Sequence, residues 1–368
     1  MEEELLRRGA RCDFADLLAL RSPGTSRRVS ACYCNMVTRA PWAFHALYRA
    51  GDAVRNLHRL GLQSPVYLAN RHYAGDLQTL LEEEEYDCVI MPHLFPAEAV
   101  TALRRQGGLR TKTVAIATDY ACIPFWEETC PDLFVIPHRD LMEDFLRRGI
   151  PEEKLAPLGI PVSRAYTQEV DKREARAKLG LPLDGPLYLV VMGSMGAGKT
   201  GELLRPLMET IGEEGCVLAV CGTNEEKRKS LQREFADCSN LRVIGYTNQL
   251  PLYMAASDLL VTKPGGLTST EAAARGIPLL LADPIPGCET YNARFFAQRG
   301  MARLCATPEE LARDARELME SSSAREDMIR AQRRFVSPLA AGRICDILET
   351  PRGAEGRALN LCPALGKG

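Results

Sequence analysis

Two glycine-rich stretches carry residues suited to phosphate chemistry. The first lies in SDLLVTKPGGLTSTEAAARGIPLLLADPIPGCETYNARFF, residues 257–296. There an apolar run, Leu259 to Thr262, enters Lys263-Pro264-Gly265-Gly266, whose glycines allow a tight turn and close backbone approach to a ligand. Thr268 stands three residues before Glu271, the spacing of a capping box, and Gly276 stops the helix that begins there. A helix opened in this way turns unpaired N–H groups and its positive dipole end toward the loop, a setting for a diphosphate. The second stretch, LYLVVMGSMGAGKT (187–200), contains Gly193-x4-Gly198-Lys199-Thr200 after a strand and so satisfies the P-loop pattern. An NTPase would also want an acidic residue at a strand end for magnesium, and Asp283 at the end of LLLAD imitates one. Two polar residues of the N-terminal half, His93 and Asp119, fall just past expected strand ends.

The elements that would position these residues alternate between strand and helix, which indicates parallel sheets. MEEELLRRGA reads as a helix end and RCDFADLL as a strand. PVYLAN reads as a strand, Leu77 to Glu84 as a helix, YDCVIMP as a strand ending at His93, and TVAIATDY as a strand ending at Asp119. DLFVIPH, a helix over Leu141 to Arg148 and LGIPVSRAY close this half. LYLVVMG, CVLAVCG, LRVIGYT and the residues from Leu259 to Ala282 repeat the alternation in the second half. The expected fold is therefore α/β with two Rossmann-like domains, residues 1–165 and 166–349, followed by a Gly, Pro and Ala-rich tail (350–368) read as disordered. A doubly wound domain normally opens with a strand and a glycine-rich turn before its first helix, and both are absent ahead of Met1, which puts catalytic competence of the chain as given in question.

TKPGGLTSTEAAARGIP followed by PIPGCETYNARFF resembles the donor-site signature of the diacylglycerol glycosyltransferases, the monogalactosyldiacylglycerol synthases and the processive diacylglycerol glucosyltransferases. It is similar, more distantly, to the peptidoglycan lipid-linked N-acetylglucosaminyltransferase. The resemblance implies the glycosyltransferase B fold, with two facing domains, nucleotide on the C-terminal one and acceptor on the N-terminal one. It implies that Glu271 accepts from the ribose hydroxyls, and that Ser269, Thr270, Ser194, Met195 and Gly196 meet the diphosphate together with the glycines Gly193, Gly265 and Gly266. Tyr246 and Thr247 match the position that reads uracil, and Glu289 and Asn292 the pair that meets the sugar hydroxyls. Cys288 replaces the glutamine usual there, so the identity of the sugar transfers less directly. MPHLFPAEAV is similar to the family's His-Pro-Phe loop with Leu94 in place of proline, and TDYACIPFW to its Thr-Asp-Tyr…Trp segment, which makes His93 and Asp119 the catalytic candidates on the acceptor side. Asp119 is then the candidate base for the attacking hydroxyl. Relatives carry a first strand and a Gly-x-Gly-His loop upstream, which this sequence lacks.

The implied reaction is displacement at the anomeric carbon of a UDP-sugar, UDP-glucose or UDP-galactose, by a lipid hydroxyl, with inversion, no cofactor and no metal-binding Asp-x-Asp motif. Two readings stand beside it. One is a P-loop NTPase or kinase, weakened because about 190 residues of another α/β unit precede the loop and because PIPGCETYNA has no part in it. The other is a nucleotide-sugar binder that has lost transfer.

Composition agrees with a two-domain protein. The 368 residues are 46% hydrophobic and 26% charged, and a net charge of −2 argues against a general nucleic-acid binder. Thirteen cysteines without metal spacing and without a signal peptide point to reduced thiols in a cytoplasmic protein. No apolar run spans a membrane, so contact with one is peripheral, on its inner face. Within residues 21–60 a set of arginines including Arg21, Arg27, Arg28 and Arg39 faces only Asp52, interleaved with Trp42, Phe44 and Tyr48, a pattern suited to an anionic membrane surface. Trp126 and Phe125 offer a lipid path, or core packing, in the same half.

Overall fold

A computed structural model describes residues 1–39, 63–107, 109–193, 200–348 and 357–362. The chain forms two units, one built from Met1–Pro161 with a C-terminal segment from Pro338, the other from Val162–Ser337. Twelve strands lie among the described residues: β1 Arg11–Asp16, β2 Cys88–Met91, β3 Lys112–Ile116, β4 Leu133–Val135, β5 Leu155–Ala156, β6 Leu187–Val191, β7 Cys216–Val220, β8 Leu241–Ile244, β9 Leu259–Thr262, β10 Leu279–Ala282, β11 Arg303–Cys305 and β12 Arg357–Cys362.

The second unit carries the sheet β11-β10-β9-β6-β7-β8, parallel throughout. Strands β6, β7, β9 and β10 are buried at every position, as continuous apolar runs must be when helices cover both faces. From β6 the chain moves one way to β7 and β8, then crosses back to β9, β10 and β11. The reversal between β6 and β9 is the topological switch point, where open α/β sheets hold their ligands beyond the strands' C-terminal ends.

The first unit carries β1-β12-β2-β3-β4-β5, also parallel. Its core joins Leu5, Ala10, Ile90, Val114, Ile116 and Val135 with Ile344, Cys345 and Leu348 of the helix Ala340–Leu348. Three expectations change here. The tail from residue 350, read as disordered, supplies β12, which pairs with β1 over six positions and with β2 over three. Residues 338–348, assigned to the second domain by sequence, pack in the first unit, because Ile344, Cys345 and Leu348 find their apolar partners there. The boundary falls at Pro161/Val162 rather than 165/166.

PVYLAN, expected as a strand, is the helix Pro65–Asn70. Ser64 caps it, its hydroxyl accepting from Tyr67 N at 3.0 Å, and Pro65 occupies the first turn where its missing N–H costs nothing. That local signal overrides the β-propensity of Val66 and Tyr67.

Candidate functional site

In the second unit the loops after β6 and β9 leave side by side. Val191 and Thr262 are register partners, and the Thr262 hydroxyl donates to Val191 O at 2.6 Å, tying the two strand ends together. Gly193, two residues past β6, has φ 83°, a conformation open to glycine and strained for other side chains. Ser194, Met195 and Gly196, and with them Lys199, lie outside the described residues.

After β9 the Gly265 N–H bonds Lys263 O at 2.8 Å, and the helix Gly266–Arg275 starts at once. It begins two residues before the expected Thr268, and its N-cap is Gly265, so no side chain caps it. Thr268 is inside the first turn, and the capping-box role of Glu271 is not realised. The uncapped first amides remain for an anion. The Thr270 hydroxyl donates to Gly266 O at 2.6 Å, and Ser269, fully buried, leaves its hydroxyl oxygen without a hydrogen-bond partner. Both side chains are turned into the unit, so the start of this helix presents backbone amides rather than these two hydroxyls. Gly276 ends the helix in the left-handed region, at φ 74°.

Glu271 is largely buried one turn further along. Burial pushes its carboxyl up to about 7, against a lowering contribution from a hydrogen bond with the Tyr166 hydroxyl. Sequence reasoning missed Tyr166, since the two residues meet only through packing of the 164–166 turn on this helix. It also gave no binding role to Lys263. This residue is 8% exposed, and its Nζ lies 3.7 Å from Asp283 Oδ2. Asp283 reaches that position with φ 50° at the end of β10. An aspartate facing a lysine in this way is poorly placed to serve as the magnesium ligand of a P-loop enzyme.

The loop after β10 leads to the helix Cys288–Gln298. Glu289 Oε2 accepts from Ile285 N at 2.6 Å, bracing that loop, and Asn292 is fully buried. Tyr246, after β8, is 55% exposed, and the Thr247 hydroxyl accepts from Gln249 N at 3.0 Å. A cavity of about 1080 Å³ opens at the opposite edge, lined among others by Gly185, Ser257, Asp258 and Pro278, which lead into β6, β9 and β10. The motif loops leave from the other edge, so this cavity is a different place.

In the first unit His93 and Asp119 follow the adjacent strands β2 and β3. His93 is the N-cap of the helix Leu94–Arg105, its Nδ1 accepting from Phe95 N at 3.2 Å, which leaves the proton of the neutral ring on Nε2. Burial lowers this ring to about 4. Its chemistry is that of a neutral Nε2 donor and a weak base. Trp126 is core, edge-on to Phe134 at 5.7 Å, while Phe125 holds φ 75° before it. Of the basic segment 21–60, Pro23–Arg39 is helical and 40–60 lie outside the described residues. Among the described residues no helix is long and apolar enough to cross a membrane, and no group of three or more metal-ligating side chains is present.

Comparison with known proteins gives two family matches in sequence order. Residues 4–162 match monogalactosyldiacylglycerol (MGDG) synthase, and residues 171–335 match glycosyl transferases group 1. A processive diacylglycerol β-glucosyltransferase of Staphylococcus carnosus is 30% identical over 248 residues, which cover 67% of this chain and 63% of the relative. The Staphylococcus saprophyticus enzyme of the same name is 32% identical over 234 residues, covering 63% of this chain and 59% of the relative. The chain thus spans less than two thirds of the length of these relatives. Among solved structures, Acinetobacter baumannii MurG superposes with a TM-score of 0.56 at 18% identity, covering 76% of this chain and 78% of that one. Staphylococcus aureus MnaA, solved with UDP, gives 0.59 at 12% identity over 78% and 82% of the two chains. With both family segments in order and a parallel sheet in each unit, the chain joins a monogalactosyldiacylglycerol synthase family segment to a glycosyl transferases group 1 segment on the fold of the B-type glycosyltransferases.

Proposed function

We propose that this protein moves a hexose from UDP-glucose or UDP-galactose to the hydroxyl of a diacylglycerol-type lipid, inverting the anomeric carbon and releasing UDP. The observation that carries this reading is the pairing, at the switch point of the second unit's sheet, of an uncapped helix N-terminus with a largely buried carboxylate on the same helix. The first suits a diphosphate and the second a ribose diol. The names of the relatives support the lipid acceptor, and two structural neighbours were solved with UDP.

In the reaction the lipid oxygen bonds to the anomeric carbon as the bond from that carbon to the diphosphate oxygen breaks, and the electron pair leaves with UDP. The hydroxyl proton passes to a base, for which Asp119 is the candidate; His93, whose Nδ1 accepts from Phe95 N, carries its proton on Nε2 as a neutral donor. Charge developing on the diphosphate is stabilised by the first amides of the 266–275 helix and its dipole, with no resident cofactor. The enzyme works at the inner face of the cell membrane as a peripheral protein, its basic 21–60 segment on anionic lipid.

The test uses the full chain, labelled UDP-glucose or UDP-galactose, and vesicles of diacylglycerol with an anionic phospholipid. Labelled glycolipid should form, falling about 10- to 100-fold in Glu271→Gln, where two charge-assisted hydrogen bonds are weakened. UDP binding with no labelled lipid would make the protein a nucleotide-sugar binder, and failure to bind UDP would contradict the reading altogether.

A further inference from the structure

Tyr166 stands in the segment that opens the second unit, and nothing in its sequence neighbourhood marks it. The residue is 7% exposed and its hydroxyl donates to the Glu271 carboxylate. The segment around it is fixed to the same helix by a second device: the Arg275 guanidinium, one turn beyond Glu271, donates to Gln168 O at 2.5 Å and to Ala165 O. The turn Arg164–Tyr166 begins at Ser163, whose hydroxyl accepts from Ala165 N at 3.3 Å, so the backbone that carries the phenol is itself braced.

A carboxylate offers about four acceptor positions, and a bidentate contact with a vicinal diol uses two of them. It succeeds only if the carboxylate plane is held, because the torsion at the end of a Glu side chain is broad and roughly two-fold. A buried, braced phenol donating from one side sets that plane and leaves the remaining lone pairs for a ligand. We propose that Tyr166 is the positioning residue that aims the Glu271 carboxylate at the ribose diol of a uridine nucleotide, and thereby sets how strongly the protein prefers a nucleotide with both ribose hydroxyls. This inference rests on the reading of Glu271 as the ribose acceptor.

The same contact has a consequence for pH. Burial raises the Glu271 carboxyl to about 7, and the Tyr166 hydroxyl opposes that rise by stabilising the anion. Only the ionised carboxylate accepts from both hydroxyls, so affinity for the diol is lost as pH falls through the carboxyl's pKa. The other charged side chain on the helix is Arg275, whose own basicity burial lowers. Removing the phenol hydroxyl leaves burial less opposed and moves the transition to higher pH.

The experiment compares UDP with 2′,3′-dideoxy-UDP by calorimetry between pH 6 and pH 8.5 on wild type, Tyr166→Phe and Glu271→Gln. The affinity ratio of the two nucleotides cancels titration of the diphosphate, which both share. In wild type the ratio should exceed about 10 at pH 8 and fall toward pH 6, and in Glu271→Gln it should be small and flat. In Tyr166→Phe it should drop about threefold to tenfold at pH 7, its midpoint should move up, and the affinity for 2′,3′-dideoxy-UDP should stay as in wild type. A Tyr166→Phe protein with the wild-type ratio and midpoint overturns the inference alone. A Tyr166→Phe protein weakened equally toward both nucleotides also overturns it, by making Tyr166 a general brace of the unit. A wild-type protein indifferent to the ribose hydroxyls overturns the inference together with the reading of Glu271.

Discussion

Single residues in this protein hold charge states that their environment imposes. Glu98, fully buried on the helix Leu94–Arg105, accepts from Asn70 Nδ2 at 2.6 Å on one oxygen, while the other has no hydrogen-bond partner. Burial pushes its carboxyl up to about 8, with the nearby Glu128 adding to the rise. The folded state therefore holds a proton that the unfolded chain releases above about 4.5, and stability falls as pH rises from there toward 8. Glu98→Gln keeps the acceptor for Asn70 and removes the titration. It should gain on the order of 2 kcal/mol at pH 8 and little at pH 5, read from urea unfolding at the two values. An equal effect at both would refute a protonated Glu98. His93 shows the same control in the other sense, since burial keeps its ring neutral across the physiological range and reserves Nε2 for donation.

At the scale of elements the decisive piece is β12. In the first unit's sheet the order β1-β12-β2 makes this strand the link between β1 and the rest. It shares six registered pairs with β1 and three with β2, and β1 has no other strand beside it among the described residues. Deleting residues 349–368 should leave β1 without a neighbouring strand and destabilise the first unit by about 5 kcal/mol, given roughly 1 kcal/mol net per hydrogen bond lost, while the helix Glu2–Arg7 keeps its packing on Ala340–Leu348. Hydrogen exchange should show the amides of Arg11–Asp16 losing protection while those of β6 and β9 keep theirs. Unchanged protection at β1 would mean that β12 is not part of the working sheet. Local pattern could not find this strand. RALNLC is a short run inside a Gly, Pro and Ala-rich tail, and its place depends on a slot made by residues from the other end of the chain.

For the whole molecule much of the architecture was legible in the sequence, because the continuous apolar runs of β6, β7, β9 and β10 alternate with helical stretches, the pattern of parallel strands covered on both faces. β9 lies where it was read, Leu259 to Thr262, and Gly276 ends the following helix because its backbone must turn left-handed there. What the sequence hid depended on contacts between distant segments: Tyr166 on Glu271, Lys263 beside Asp283, and the helix Ala340–Leu348 packed in the first unit. Uridine diphosphate is proposed to bind the second unit through Glu271 and the 266–275 helix, rather than ATP through the lysine of GAGKT. Calorimetric titration with UDP and with Mg-ATP, on wild type, Glu271→Ala and Lys199→Ala, tests it most directly. UDP should bind, with binding that collapses in Glu271→Ala and survives Lys199→Ala. Binding of Mg-ATP alone, lost in Lys199→Ala, would contradict it and make this a P-loop protein.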